Sequence, residues 1–119
     1  MKTVYKPWGR EEWIALTDKY CFKRITIFEG CKTPLQYHKE KDETNLIHSG
    51  KAFVTFKALE GEEYKKVVET GFSMRCRPGD VHRIEALDGD VVLYEVSTPE
   101  VDDVVRLEDS YGRKGTNNP

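Results

Sequence analysis

The sequence predicts an all-β protein, built as an antiparallel double sheet of the jelly-roll kind. Short segments of alternating apolar and polar residues recur along the chain, and turn residues separate them at intervals of about eight to twelve residues. Before residue 98 no long stretch has the apolar periodicity of an amphipathic helix. Together these observations favour about eight short strands in two packed layers.

The first two predicted strands form a β-hairpin. Residues 11–16 and 20–28 are rich in β-branched and aromatic side chains, and residues 17–19 supply a turn between them. In the second strand Lys23 lies on one face and Arg24 on the other, so one basic residue points inward in either register. The alternation alone does not decide which of the two is inside.

The later strands follow the same alternation of apolar segments and turns. We predict them at residues 52–56, 63–68, 72–76, 82–86 and 91–96. Pro78 and Gly79 mark a tight corner before the fourth of these, and Asp88 and Gly89 mark a turn before the last.

The pattern changes after residue 97. Thr98 can cap a helix, Pro99 suits a first helical position, and the valines at 101, 104 and 105 have helical spacing. We therefore predict a short C-terminal helix or turn. We expect a single domain over residues 1–113 and a disordered tail over residues 114–119, which are polar and rich in Gly and Asn.

Length and charge narrow the possible functions. The chain of 119 residues carries 19 basic and 21 acidic residues, interspersed, for a net charge of −2. This distribution lacks the broad basic field that duplex nucleic acid requires, so no nucleic-acid partner is expected. No apolar run has the length of a membrane span and no signal sequence is evident, so we expect a cytoplasmic protein with no membrane partner.

Three cysteines, an odd number without paired ligand spacing, suggest reduced thiols. Cys31 lies near the candidate site described next, and we expect it to be a small buried thiol instead of a ligand.

Candidate metal ligands cluster between residues 36 and 43. Gln36 and His38 are two apart on a predicted strand, so their side chains point to the same face. Glu43 follows after a short polar turn, and His82 comes directly after the Pro78–Gly79 corner. The spacing makes an amide, two imidazoles and a carboxylate available to one site.

Both stretches resemble known motifs of the cupin superfamily. Residues 30–50 match the first cupin motif at every anchor, except that Gln36 stands where the first His usually is. Residues 71–86 resemble the second motif, although its Pro falls at Arg77 and its final Asn at Ala86. The anchors that match in the second motif are Gly71, Gly79 and His82. The resemblance implies a double-stranded β-helix.

A wider resemblance covers nearly the whole chain, and its most specific part is the terminal block 102–113, which ends in Glu-Asp-Ser-Tyr-Gly-Arg. The matching segments are residues 6–9, 23–26, 35–38, 81–83, 94–96 and 102–113. They look like the C-terminal cupin domain of type II mannose-6-phosphate isomerases. Those proteins are commonly fused to a nucleotidyltransferase that makes GDP-mannose. We expect this chain to be a stand-alone cupin without guanylyltransferase activity.

The resemblance implies interconversion of mannose 6-phosphate and fructose 6-phosphate with one divalent metal. Carried over to this sequence, the ligands would be Gln36, His38, Glu43 and His82. Such a mixed oxygen and nitrogen set suits Zn, Mn, Fe, Co or Ni better than Ca or Mg.

The isomerase chemistry also needs a base and a phosphate site. Glu95 shares a predicted strand face with Val91 and Leu93, where an unpaired charge would be costly, so it is the leading candidate for the base. Glu43 is the next carboxylate to consider. The candidates for phosphate contacts are Lys23, Arg24, Arg83, Arg106 and Arg113.

Other functions stay open at this stage. A cupin of this kind could bind a sugar or a metal without turnover, or could be another metal enzyme such as an epimerase or dioxygenase, since function resides in the site and not in the fold. We also expect a homodimer, in which residues 4–8 cover a sheet edge across a two-fold axis.

Overall fold

The computed structural model describes residues 1–114, and within this range it contains nine β-strands and no helix. In chain order the strands are β1 (Lys2–Lys6), β2 (Gly9–Leu16), β3 (Cys21–Ile27), β4 (Leu35–Tyr37), β5 (Glu43–Lys57), β6 (Glu63–Val68), β7 (Ser73–Cys76), β8 (Val81–Ser97) and β9 (Val105–Glu108). Every strand pairing is antiparallel, which confirms the all-β prediction.

The two long strands β5 and β8 organise the molecule because both bend in the middle. Their mutual pairing changes register between residues 47 and 52 of β5, where Gly50 adopts a φ of 96°. In β8 the bend falls at Gly89, with a φ of 78°. Such positive φ values are accessible to glycine at little cost. The bend turns one continuous sheet into two facing layers.

Each layer uses one half of each long strand. The first layer contains β1, β2 and β3, the second half of β8, the first half of β5, and β7. The second layer contains β9 and β4, the first half of β8, the second half of β5, and β6. Both ends of β8 therefore reach the same open end of the molecule, one in each layer.

Inward-facing apolar residues fill the space between the layers away from that open end. The core includes Ile27, Ile47, Val54, Val91 and Leu93. On β3 the inward face carries Lys23, which is 3% exposed, whereas Arg24 lies on the outer face. The structure thus settles the register that the alternation left open. Cys31 is half-buried against the same core.

One detail of the predicted secondary structure was wrong. Residues 82–86 and 91–96 belong to one strand, because β5 bends at the same level and its hydrogen bonding with β8 continues past the predicted turn. Of the two alternatives predicted after residue 98, a short helix or a turn, the turn is confirmed at residues 101–102, and β9 follows it. The helix does not form, since Val105 and Arg106 instead pair with β4.

The N-terminal hairpin between β2 and β3 is confirmed, and β1 pairs with β2 of the same chain. The homodimer and the cytoplasmic location stay predictions. Within residues 1–114 no helix is long and apolar enough to cross a membrane. Except for Lys114, the tail predicted to be disordered lies outside the described residues.

Candidate metal centre and cleft

Three side chains converge between the two layers at the open end. His38, Glu43 and His82 are each 4% exposed, and their potential ligand atoms all lie within 4.8 Å of one another. His38 directly follows β4, Glu43 begins β5 and His82 lies near the start of β8. The bend in the long strands brings these distant positions together, because the layer that holds the start of β5 then faces the layer that holds the start of β8.

Main-chain carbonyl groups fix the orientation of both imidazole rings. The Nδ1 atom of His82 donates to the carbonyl oxygen of Asp80 at 3.0 Å, and Nδ1 of His38 donates to the carbonyl oxygen of Asp103. The two Nε2 atoms therefore point toward Glu43, at 2.8 Å for His38 and 3.8 Å for His82. Metal-binding histidines are commonly held in this way, with one ring nitrogen bonded to a carbonyl group.

The protonation behaviour of His82 and Glu43 fits a divalent transition metal, whereas the pKa of His38, which burial would lower, is raised by the neighbouring Glu43. Burial lowers the pKa of His82, which favours the neutral ring that a metal requires. Burial would raise the pKa of Glu43, but the neighbouring Lys41 and histidines hold it well below its ordinary value. The buried Nε2 of His38 lies close to Glu43 yet makes no hydrogen bond of good geometry to any described residue. A cation between these atoms would use that nitrogen.

Gln36 lies on β4 between two functional positions of the neighbouring strands. It is directly opposite His82 on one side and Arg106 on the other, so the three residues form a row across the second layer. Its side chain is half-buried and lines the cleft beside His38 and Glu43. Its part in metal binding stays a prediction.

Lys41 connects the metal centre with a second buried carboxylate. Its Nζ atom lies 3.3 Å from Glu43 and 3.0 Å from Glu95. The amide of Asn45 donates to the other oxygen of Glu43 at 2.8 Å. Sequence reasoning treated Lys41 as part of a polar turn, although Lys41, Glu43 and Asn45 alternate along one face and all three are buried. That alternation is the signal that could have identified them.

Glu95 faces inward near the end of β8, as its position on an apolar face predicted. It lies in the cleft, 3.0 Å from Lys41 and 4.0 Å from Lys23. Burial and the charge of Glu43 raise the pKa of Glu95, while Lys41 and Lys23 lower it by less. The environment therefore shifts the pKa values of Glu43 and Glu95 in opposite directions.

The centre opens into a cleft with a volume of about 180 Å³. Of the five basic residues predicted to contact phosphate, the structure brings three to this cleft: Lys23, Arg106 and Arg113. The other two lie elsewhere. Arg24 forms a two-point hydrogen bond with Glu12 at 2.9 and 2.6 Å on the outer face, and Arg83 donates to the carbonyl oxygen of Thr33.

Sequence reasoning also missed residues on β1 and β2 and in the segment before β9. Lys6, Glu11 and Trp13 line the cleft, and Glu11 accepts hydrogen bonds from Lys23 and Trp13, each at 3.0 Å. The alternation of Glu11 and Trp13 on β2 could have placed them on one face. The carboxylate of Asp103 accepts hydrogen bonds from the backbone N–H groups of residues 39, 40 and 41, so it holds the turn between His38 and Glu43.

The bent antiparallel double sheet, with a histidine and glutamate cluster between its layers, defines a cupin. Solved structures support this class. Oxalate decarboxylase from Bacillus subtilis superposes with a TM-score of 0.77 at 18% identity, covering 89% of this chain and 30% of that one. The capsular polysaccharide assembling protein CapF from Staphylococcus aureus gives 0.75 at 21% identity, covering 91% and 34%. At these identities the similarity establishes the fold alone.

The family follows from the sequence. The family model described as mannose-6-phosphate isomerase C-terminal matches residues 1–109, and the chain belongs to this family.

The curated relatives are considerably longer than this chain. The xanthan biosynthesis protein XanB of Xanthomonas campestris is 34% identical over 116 residues, which cover 94% of this chain and 24% of XanB. The mannose-1-phosphate guanylyltransferase of Escherichia coli K12 is 34% identical over 119 residues, covering 94% and 23%. The chain thus spans about a quarter of the length of the curated relatives it matches.

Proposed function

We propose that the protein is a metal-dependent aldose–ketose isomerase that acts on a sugar phosphate, with mannose 6-phosphate and fructose 6-phosphate as the substrate pair. The observation that carries the proposal is the convergence of His38, Glu43 and His82, with both rings fixed by main-chain carbonyls, beside a separate buried carboxylate. Membership of the isomerase C-terminal family supports the choice of reaction.

The proposed ligands are His38, Glu43 and His82, joined by Gln36 as the fourth. The donor set suits one Zn, Mn, Fe, Co or Ni ion. When bound, such a cation supplies a Lewis acid that polarises the sugar carbonyl and stabilises negative charge on its oxygen. Asn45 and the carbonyl groups of Asp80 and Asp103 keep the ligand side chains in place.

We assign proton transfer to Glu95. It would remove the proton at C2 of the aldose, leaving an enediolate, and return that proton at C1, while the hydroxyl proton on O2 passes to O1, which gives the ketose. Glu95 suits this role better than Glu43, because its pKa is raised whereas that of Glu43 is held low for metal binding. Lys41, which bonds to Glu95 at 3.0 Å, positions the carboxylate.

The proposed substrate carries a phosphate because basic residues line the same cleft. Lys23, Arg106 and Arg113 are all buried there, and arginine forms two-point hydrogen bonds with oxyanions. A phosphate group would place a further anion beside these basic side chains, which a neutral sugar does not.

A second candidate is a sugar-phosphate-binding module without turnover. It is favoured by the relatives, since the Escherichia coli protein is named a guanylyltransferase and this chain matches only about a quarter of it. A domain of that kind could bind a phosphosugar on behalf of another domain or protein.

The test is turnover of mannose 6-phosphate by protein loaded separately with Zn, Mn, Co and Ni. We expect fructose 6-phosphate with at least one metal, and none from His82→Ala protein treated in the same way. Metal-loaded protein that binds hexose or pentose phosphates but isomerises none of them would exclude the enzyme and leave the binding module.

A further inference from the structure

The outer face of the first layer carries an apolar patch on the neighbouring strands β3, β8 and β5. Four residues form it and are called the outer patch here: Phe22 on β3, Tyr94 and Val96 on β8, and Leu46 on β5. The rings of Phe22 and Tyr94 stack with their centroids 5.8 Å apart. Leu46 is 45% exposed and Val96 is 50% exposed, so neither is covered by another part of residues 1–114. A contiguous exposed apolar patch commonly marks an interaction surface.

The second half of β8 is apolar on both of its faces. Its core residues alternate with Val92 and Tyr94, which point outward. A strand with one face in water usually alternates apolar and polar residues. The second layer follows that rule, because Thr55 is paired with Arg83 on its outer face. The outer patch is therefore a special feature of the first layer and calls for a functional explanation.

Each side of the outer patch carries one pair of opposite charges. On the β2 side, Arg24 donates to the carboxylate of Glu12 at 2.9 and 2.6 Å. On the β7 side, Arg75 donates to the carboxylate of Asp42 at 3.2 and 2.8 Å. Both sides are thus electrically neutral and present the same two chemical groups. A surface of this kind is complementary to a copy of itself.

A two-fold dimer would make use of this symmetry. When two copies pack face to face with the axis along β8, the β2 side of one copy lies against the β7 side of the other. Arg24 then has Asp42 of the second copy available across the interface, and Glu12 has its Arg75. A strongly acidic or basic partner would gain nothing from two neutral sides. The charges therefore favour a second copy of this chain as the partner.

The size of the face also suits a dimer. The first layer has six strands, which span about 24 Å at roughly 4.8 Å per spacing, and a strand of 7 residues such as β3 is about 20 Å long. The projected area is therefore about 480 Å², and the accessible area is larger because side chains stand out from the sheet. A standard interface buries about 800 Å² of accessible surface on each partner. The two areas are of the same order.

We propose that the outer patch is the interface of a two-fold homodimer. This surface is different from the edge strand β1, through which the sequence predicts a dimer. The cleft lies on the inner face of the first layer, so the clefts of both copies would stay open. The proposal does not depend on turnover.

Analytical ultracentrifugation of the purified protein, from low micromolar to submillimolar concentration, tests the proposal. We expect a dimer in the unchanged protein. Val96→Lys and Leu46→Lys should each weaken it by at least about 100-fold, since a two-fold interface contains each substitution twice and each unpaired charge costs about tenfold or more. The matched control is Val67→Lys on β6 of the second layer, where the valine is 55% exposed, and it should dimerise like the unchanged protein.

A pair of opposite substitutions distinguishes a lost interface from a misfolded chain. Val96→Lys and Val96→Glu should each be monomeric, and a mixture of the two should form a heterodimer, because the two copies of residue 96 approach each other at the axis along β8. An unchanged protein that stays monomeric at every concentration would overturn the proposal. A dimer that persists in Val96→Lys and Leu46→Lys, as a dimer through the β1 edge would, or a mixture that stays monomeric, would also overturn it.

Discussion

The two layers that face each other across the cleft hold their functional side chains by different means. In the first layer, charged side chains hold one another: Glu11 pairs with Lys23, and Glu95 with Lys41 from the adjoining turn. Around the second layer, the main chain fixes the side chains, since carbonyl oxygens of Asp80 and Asp103 orient His82 and His38.

This difference separates two kinds of function. Rings held by the main chain keep their direction whatever the charges nearby, which is what a metal centre requires. Charge pairs can change protonation and adjust to a substrate, which suits proton transfer and anion binding. Glu43 joins the two systems, because it starts a strand of the first layer and points to the histidines. Substitutions in the two layers should therefore have separable effects.

The largest effect on turnover with metal retained is expected from Glu95→Gln in the first layer. The amide keeps the shape of the side chain but cannot accept the proton, so turnover should fall by roughly 10²- to 10⁴-fold. Metal content and isomerisation of mannose 6-phosphate are measured together, with Glu85→Gln on the outer face of β8 as control. A fully active Glu95→Gln protein would show that another residue is the base, and Glu43 would be the next carboxylate to test.

A smaller effect is expected from Asp103→Asn beside the second layer. Asparagine has one acceptor oxygen in place of two, so the turn at residues 39–41 loses part of its support and His38 is held less firmly. Metal affinity should fall by about 10- to 100-fold, while turnover at saturating metal should change little. The exposed Asp18→Asn is the control in the metal titration. Unchanged metal affinity would mean that the turn does not position the ligand.

The smallest effect concerns stability at acid pH. Burial would raise the pKa of Glu11, but Lys23 and Lys6 bring it below its ordinary value of 4.5. A carboxyl group with a lowered pKa stabilises the fold above pH 4.5, and this stabilisation disappears as the pH falls through its lower value in the folded state. Glu11→Gln should cost roughly 1 to 2 kcal/mol at pH 7, and the difference from the unchanged protein should shrink at pH 3. Urea unfolding at pH 7 and pH 3 measures this difference in the free energy of unfolding. A difference that is the same at both pH values would contradict a lowered pKa for Glu11.

Much of the fold could be predicted because its signals are local. Turn residues and alternation located most of the strands, and the inward position of Glu95 followed from its apolar neighbours on β8. The bend at Asp88 and Gly89 was mistaken for a chain reversal, since glycine with positive φ serves both structures equally well. Only the partner strand β5 distinguishes them, and that pairing is distant in sequence.

The site could be predicted in part for the same reason. His38, Glu43 and His82 were found by motif spacing, whereas the ion pair between Lys41 and Glu95 joins residues that are distant in sequence. Alternation alone could not choose between Lys23 and Arg24, because either face of β3 could have been inside. The position of Lys6 in the cleft depends on contacts between strands that are distant in sequence, so no short segment predicts it.

The central claim is that His38, Glu43 and His82 hold one divalent transition metal, and metal analysis tests it most directly. After mild dialysis, or after titration with Zn, Mn or Ni, the unchanged protein should contain about one ion per chain, since the three ligands form a single site. Folded His38→Ala and His82→Ala proteins should contain none and should lose activity with the metal. Correctly folded protein that refuses all three added metals, or variants that bind metal like the unchanged protein, would contradict the account.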